Sequence, residues 1–265
     1  MPWHVASWDH LDDAGLPRTF ALKYFRRGEE SSRLVEYVCA SLAAELGIGA
    51  PPVELLNVTT DFLNELAKLR IAPMGLGDAQ PGQQLGITWV NAGELADSPE
   101  ALNGLANRRQ PAEIIASDCY FHNEDRHDSN VLVLVASIFG RRNYKLVPID
   151  WGSSFRGRPP SPVLIEPLVG HATLRESTQT GTLKEAVESA DDFRDIIPRL
   201  QQLTDSTSRL RQLINWPPSD WRVSEREKSA LLDYFVRRVP VVAERLRHTE
   251  DHECIFPNWQ ESLAI

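Results

Sequence analysis

The side chains best suited to chemistry lie in His122-Asn123-Glu124-Asp125-Arg126-His127-Asp128-Ser129-Asn130 and in a second run that ends Ile149-Asp150-Trp151-Gly152. An Asp is followed five positions later by an Asn, then by an apolar run, a turn, a second apolar run and another Asp. Phosphoryl transfer needs such a set. One carboxylate orients the attacking hydroxyl, while an amide and a second carboxylate hold a magnesium ion against the phosphates.

The intervening residues must position these groups. Val131 to Val135 and Tyr144 to Ile149 read as two short buried strands joined by a turn containing Gly140. A hairpin of that kind returns Asp150 to the neighbourhood of Asp125 and Asn130, giving three oxygen donors around one hard cation. Each half alone has a plainer reading: a polar run is a loop, and Asp-x-Gly is a turn. Their order, with strands between them, favours the site.

A second constellation lies upstream. In Phe20-Ala21-Leu22-Lys23-Tyr24-Phe25, alternation puts Phe20, Leu22 and Tyr24 on one strand face and Lys23 on the other. Taken alone, Lys23 reads as an edge lysine in water. The next segment is a helix capped by Ser31 or Ser32, running to Leu46 and stopped by Gly47. Leu34, Val38, Leu42 and Leu46 make its apolar stripe, and Glu36 lies off it beside the small residues Cys39, Ala40 and Ala43. A strand lysine held by a glutamate on the following helix is the arrangement that contacts ATP phosphates in kinases.

Composition sets wider bounds. The 265 residues suffice for one large domain or two lobes; 42% are apolar and 25% charged, as in ordinary globular proteins. A net charge of −9 argues against general nucleic-acid binding. Cys39, Cys119 and Cys254 are widely spaced, which fits buried free thiols better than disulfides or zinc. The first ten residues lack the basic and apolar regions of a signal peptide, and no run is long enough for a membrane span, so a cytoplasmic location is expected.

The remaining pattern predicts strands at 3–8, 18–25, 53–58 and 85–90, a helix over 61–69, a glycine-containing connection from Met74 to Gln84 and a hinge at 91–93. A more helical region follows. It has a short helix at 99–107, one from Pro111 to Phe121, one opened by a Thr182/Glu185 capping box and running to about Ala190, one from Pro198 through Ile214, and a last long one over 225–247 opened by Ser224 and Glu227.

Three stretches together resemble the HipA-like kinase family: Phe-Ala-Leu-Lys with Glu36 downstream; Asp118, Asn123, Asp125-Arg126 and Asn130; and Ile149-Asp150-Trp151-Gly152. The likeness runs from about residue 20 to 155. Asp-Arg-His-x-x-Asn with the later Ile-Asp-x-Gly also looks like the related catalytic core of phosphatidylinositol 3- and 4-kinases. The resemblance implies an α+β, bilobal protein-kinase-like fold, with a small β-rich N-lobe (1–90) and a larger, mostly helical C-lobe (91–265). It implies ATP and Mg2+ as cofactors and transfer of the γ-phosphoryl group to a hydroxyl acceptor, protein Ser or Thr. Lys23 would lie on the phosphates, supported by Glu36. Asp125 would be the catalytic Asp, Asn130 and Asp150 would hold magnesium, and Asn123 and Asp118 would shape the loop. Arg126 would either brace the loop or meet phosphate.

One feature departs from the family. A phosphate-covering loop belongs upstream of the lysine, and only Gly15, at a turn, precedes Lys23; the loop is either degenerate or encoded before the given start. The alternative function is therefore a weak or inactive pseudokinase that binds nucleotide or a partner. A metal-dependent hydrolase using His122, Glu124, Asp125 and His127 is disfavoured: no Pro-Cys-x-x-Cys follows His-x-Glu, and the two histidines are one residue too far apart for one helix face.

Overall fold

The computed structural model describes residues 3–23, 30–68, 81–138, 141–160, 162–163, 165–170, 181–247 and 255–259. Strands β1 (Trp3–Leu11), β2 (Pro17–Lys23), β3 (Val53–Val58) and β4 (Gly82–Thr88) form an antiparallel sheet in the order β1-β2-β4-β3. Phe20 and Leu22 of β2 join Leu56 and Val58 of β3 in a small core that Phe62 and Leu63 cover from helix α2 (Thr60–Lys68). The two-residue period sends Lys23 to the other face, where helix α1 (Glu30–Glu45) packs.

Helix α1 is more deeply enclosed than its amphipathic pattern predicts. Every residue from Arg33 to Ala40 is buried. The Leu34, Val38, Leu42 and Leu46 stripe belongs to a main core that also holds Trp151, Trp221, Tyr234 and Phe235. The face that carries Glu36 is thus covered as well as the apolar one. The helix spans Glu30–Glu45, so Ser31 and Ser32 lie within its first turn rather than capping it, and it ends one residue before the expected Leu46, with Gly47 left-handed at φ 69°.

A second sheet, β5-β6-β7, contains the short β5 (Gly93–Glu94) and the hairpin of β6 (Val131–Ile138) and β7 (Arg141–Pro148). Its register pairs Val131 with Pro148, so Asp150 follows two residues beyond the last pair. Helix α3 (Gln110–Phe121) leads into the loop before β6, and all of its residues are buried. Helices α4 (Ile165–Gly170), α5 (Gly181–Glu185), α6 (Ile196–Asp205), α7 (Thr207–Asn215) and α8 (Glu225–Arg247) complete the chain. The long α8 packs on α3, α4, α6 and α7.

Several expected boundaries move. Strand β4 starts at Gly82 because its ladder with β3 continues to Val58↔Gly82; the earlier part of the glycine-containing connection lies outside the described residues. Residues 24 and 25, expected to end β2, and Cys254 also lie outside them. The short helix at 99–107 is a 3-10 turn over Pro99–Gly104. The helix expected from Pro198 starts at Ile196 and breaks at Ser206, where ψ is 58°. The Thr182/Glu185 capping box does not form, since the Thr182 hydroxyl donates to Asp128; a box forms instead between Ser189 and Asp192. The box at Ser224 and Glu227 is present in both directions, at 2.9 and 3.2 Å. Cys39 and Cys119 are buried free thiols. Among the described residues no helix is long and apolar enough to cross a membrane.

Gln110 clamps the α1–β3 connection to the hairpin. Its Nε2 donates to the carbonyls of Ile48 and Leu146 at 2.9 and 2.6 Å, and its Oε1 accepts from Leu146 N at 2.9 Å. The approach is so close that a Cβ on Gly49, itself at φ 94°, would stand 2.6 Å from Gln110 Nε2. Gln110→Ala should strand three buried backbone groups and lower stability by about 2–4 kcal/mol in urea unfolding. A loss below about 0.5 kcal/mol, the size of an ordinary surface change, would rule the clamp out.

Candidate active site

Helix α3 ends on His122, which is left-handed at φ 50° and donates its N–H back to Asp118 and Cys119. Histidine is among the side-chain residues that adopt this conformation more readily. The chain then turns away so that Asn123 Nδ2 donates to Asp118 Oδ1 at 2.9 Å, and Asp125 N donates to Asn123 Oδ1 at 3.3 Å. Asn123 and Asp118 thus shape the loop from within.

Arg126 is the centre of that loop. Its side chain and that of Asp118 are both 0% exposed, with Nε 3.0 Å from Oδ2. One NH group donates to Asn130 O at 2.8 Å and also to Ile149 O; the other donates to Asp118 Oδ1 at 3.1 Å. The guanidinium lies over the Trp151 ring, 4.3 Å from its centroid. These contacts are those of a brace: no part of the side chain reaches solvent. Breaking a buried pair from one side leaves an uncompensated charge. Asp118→Ala should therefore lower stability by about 3–5 kcal/mol in thermal or urea unfolding, and a change below about 1 kcal/mol would contradict the pairing.

The brace draws the start of β6 and the end of β7 together, where Ile149 N donates to Asn130 O at 3.0 Å. Asn130 Nδ2 donates to Asp125 O at 3.1 Å, which ties the loop's Asp and Asn. Asp150 follows at φ 60°, a left-handed turn that Asp tolerates. Lys23 then bridges two carboxylates, with Nζ 3.0 Å from Glu36 Oε1 and 2.7 Å from Asp150 Oδ1. Glu36 is fully buried, whereas the Asp150 side chain is 46% exposed. Gly152 permits this approach, because a Cβ there would stand 2.7 Å from Glu36 Oε2. The structure therefore brings Lys23, Glu36 and Asp150 together, and Asp125 and Asn130 together beside them. Arg126 lies beneath, in the core.

Two carboxylates around one ammonium separate in acidity. Burial pushes the Glu36 carboxyl above its ordinary value, more than Lys23 pulls it down. Burial acts the same way on Asp150, but the Lys23 ammonium and the Gly152 N–H outweigh it and hold that carboxyl below its ordinary value. Burial would lower Lys23, and the two carboxylates together raise it. Asp150 is thus the more acidic, partly open member.

Lys23→Met should leave Glu36 buried without its cation. A carboxyl whose folded value is raised contributes stability below its unfolded value near 4.5 and loses it as pH rises through the folded value. Unfolding midpoints of Lys23→Met and wild type should therefore diverge as pH rises, and adding Glu36→Gln should shrink the divergence to the part contributed by Asp150, which Lys23 also holds down. A gap that stays constant with pH would contradict this electrostatic reading.

Two features of the site carried no signal in the sequence. Ser153 Oγ donates to Asp125 Oδ2 at 2.9 Å, and Thr182 reaches Asp128 from α5. A lone serine or threonine has no spacing to announce such a partner. Of the histidines, His122 Nε2 lies 3.0 Å from Glu124 Oε1, and His127 is exposed. Among the described residues no group of three His, Cys, Asp or Glu side chains forms a metal cage.

The family model of the HipA-like kinases matches residues 18–253. The chain belongs to the HipA-like kinase family, and hence to a class of phosphotransferases. Its mixed α/β architecture is similar to the crystal structure of the Helicobacter pylori proinflammatory kinase CtkA. The TM-score is 0.50 at 14% sequence identity, covering 92% of this chain and 94% of that one. At that identity the likeness speaks for the fold. No curated protein sequence matches.

Proposed function

We propose that the chain transfers the γ-phosphoryl group of ATP to a hydroxyl acceptor, with protein serine or threonine as the acceptor class, in the cytoplasm. In this reading it is a bilobal kinase-like domain, with an N-lobe over 1–90 and a C-lobe over 91–265. The observation that carries the proposal is Lys23 Nζ held at once by buried Glu36 and by Asp150, at 3.0 and 2.7 Å. That contact joins the strand, helix and hairpin end that a nucleotide phosphate site requires.

The residues fit magnesium. Asp150 is an ionised, half-exposed carboxylate, and Asn130 adds an amide oxygen; one or two hard donors beside phosphates are what this ion takes. Bound there, the ion would supply positive charge to offset that of the phosphates. Asp150 and Asn130 would hold it. Lys23 would bind the phosphates, released from Asp150 as they arrive and kept in place by Glu36. Asp125 would orient the acceptor hydroxyl and take up its proton. Arg126 would act through the loop, as a brace. The effect of these groups would come from positioning and charge compensation.

The alternative, a nucleotide-binding module without transfer, is favoured by one observation. The connection of β1 to β2 is a tight turn in which Asp12 Oδ1 accepts from Ala14 N and Leu16 N, each at 2.9 Å. Gly15 is the one glycine in this turn, and Asp12 already takes two of its backbone N–H groups that a phosphate would need.

Calorimetric titration of ATP, with and without magnesium, tests the nucleotide site. Wild type should bind only with magnesium, and Asp150→Ala should lose that binding while staying folded. Asp125→Asn should keep ATP affinity and lower transfer from γ-labelled ATP to dephosphorylated casein by about a hundredfold or more. Wild type that fails to bind ATP would overturn the proposal. Binding without transfer would select the module.

A further inference from the structure

The turn after Asp150 is laced to the loop that carries Asp125. Ser153 Oγ donates to Asp125 Oδ2 at 2.9 Å. Ser154 and Asn123 form a β-bridge, Phe155 N donates to His122 O at 3.1 Å, and Arg156 Nε lies 3.2 Å from Glu124 Oε2. Glu124 is also held by His122, so one of the loop's two adjacent carboxylates is clasped away and the other is met by a serine.

The backbone that produces this lacing is one side chains avoid. Phe155, Arg156 and Gly157 are successively left-handed, with φ of 53°, 57° and 74°. Such strain persists only where the surroundings over-determine it. Here the Phe155 ring is buried 4.7 Å from the Tyr234 centroid and 5.8 Å from that of Phe235. Arg156 N and Gly157 N donate back to Ser153 O and Ser154 O, both at 2.9 Å. The strained turn therefore fixes the backbone of Ser153 from both sides and delivers its hydroxyl to a single carboxylate oxygen.

We propose that Ser153 is a positioning residue for Asp125. An aspartate on an exposed loop rotates freely about its last bond. A hydroxyl on Oδ2 stops that rotation and leaves Oδ1 to receive the acceptor's hydrogen bond. Orientation of this kind is established on folding, before the acceptor arrives. The inference rests on the phosphotransferase reading and extends it to the residue that aims the catalytic carboxylate.

The test measures transfer from γ-labelled ATP to dephosphorylated casein, and ATP affinity by calorimetry, for wild type, Ser153→Ala and Ser153→Thr. Ser153→Ala should lower kcat about tenfold, with ATP affinity and KM for ATP unchanged. Ser153→Thr, which keeps the hydroxyl, should recover most of the loss. An active wild type matched in kcat by Ser153→Ala would sink the positioning role and leave the phosphotransferase reading intact. A fall in ATP affinity parallel to kcat, unrecovered by threonine, would mark Ser153 as merely structural. A wild type that binds ATP but transfers to neither casein nor water would overturn both.

Discussion

Asp118 and Arg126 form an ion pair with no exposure to solvent, and the loop between α3 and β6 is folded around it. Desolvating a guanidinium is costly unless its donors are engaged. Those donors meet Asp118 on the preceding helix, Asn130 O at the start of β6 and Ile149 O at the end of β7, while Trp151 covers the flat face. One side chain thereby fixes three backbone segments on a common frame. Asp125 precedes Arg126 itself, and Asn130 and Asp150 lie at the β6 and β7 ends, so their relative placement follows from satisfying a buried cation.

Lys23 supplies the second link. It connects the four-stranded sheet to α1 through Glu36 and to the hairpin end through Asp150. Full burial of Glu36 pushes its carboxyl up, and proximity to Lys23 holds the half-exposed Asp150 down. The shared ammonium thus has its more acidic partner, Asp150, on the solvent side, where a cation can compete for the carboxylate and a phosphate for the ammonium. Gly152 lets the two carboxylates approach the same ammonium, because any side chain there would meet Glu36. Glu36 belongs to a helix closed on all sides along this stretch, which makes it the rigid member of the three.

The strand lysine, the helix glutamate, the polar loop and the returning Asp were legible because each follows from local periodicity or from hairpin geometry. Asp150 returns to Asn130 for the reason the alternating apolar runs suggested: the β6–β7 ladder closes beside it. Local pattern failed where a distant side chain competed. Thr182 has the spacing of a helix cap, yet its hydroxyl serves Asp128, and the capping box forms at Ser189 instead. The apolar pattern through Pro198 and Ile214 continues across Ser206, where the backbone does not. Arg126 admitted two roles in the sequence, since nothing local states whether an arginine beside Asp125 points inward or outward; in the structure it points inward, buried against Asp118. Gln110 and Ser153 were invisible because their partners lie 36 and 28 residues away.

A crystal structure with a non-hydrolysable ATP analogue and magnesium would probe this arrangement most directly. The ion is expected on Asn130 and Asp150, with Lys23 moved from Asp150 to a phosphate oxygen and Arg126 still against Asp118 and Trp151. An ion held elsewhere, or an Arg126 swung out of the core onto the phosphates, would contradict both the site assignment and the brace on which it depends.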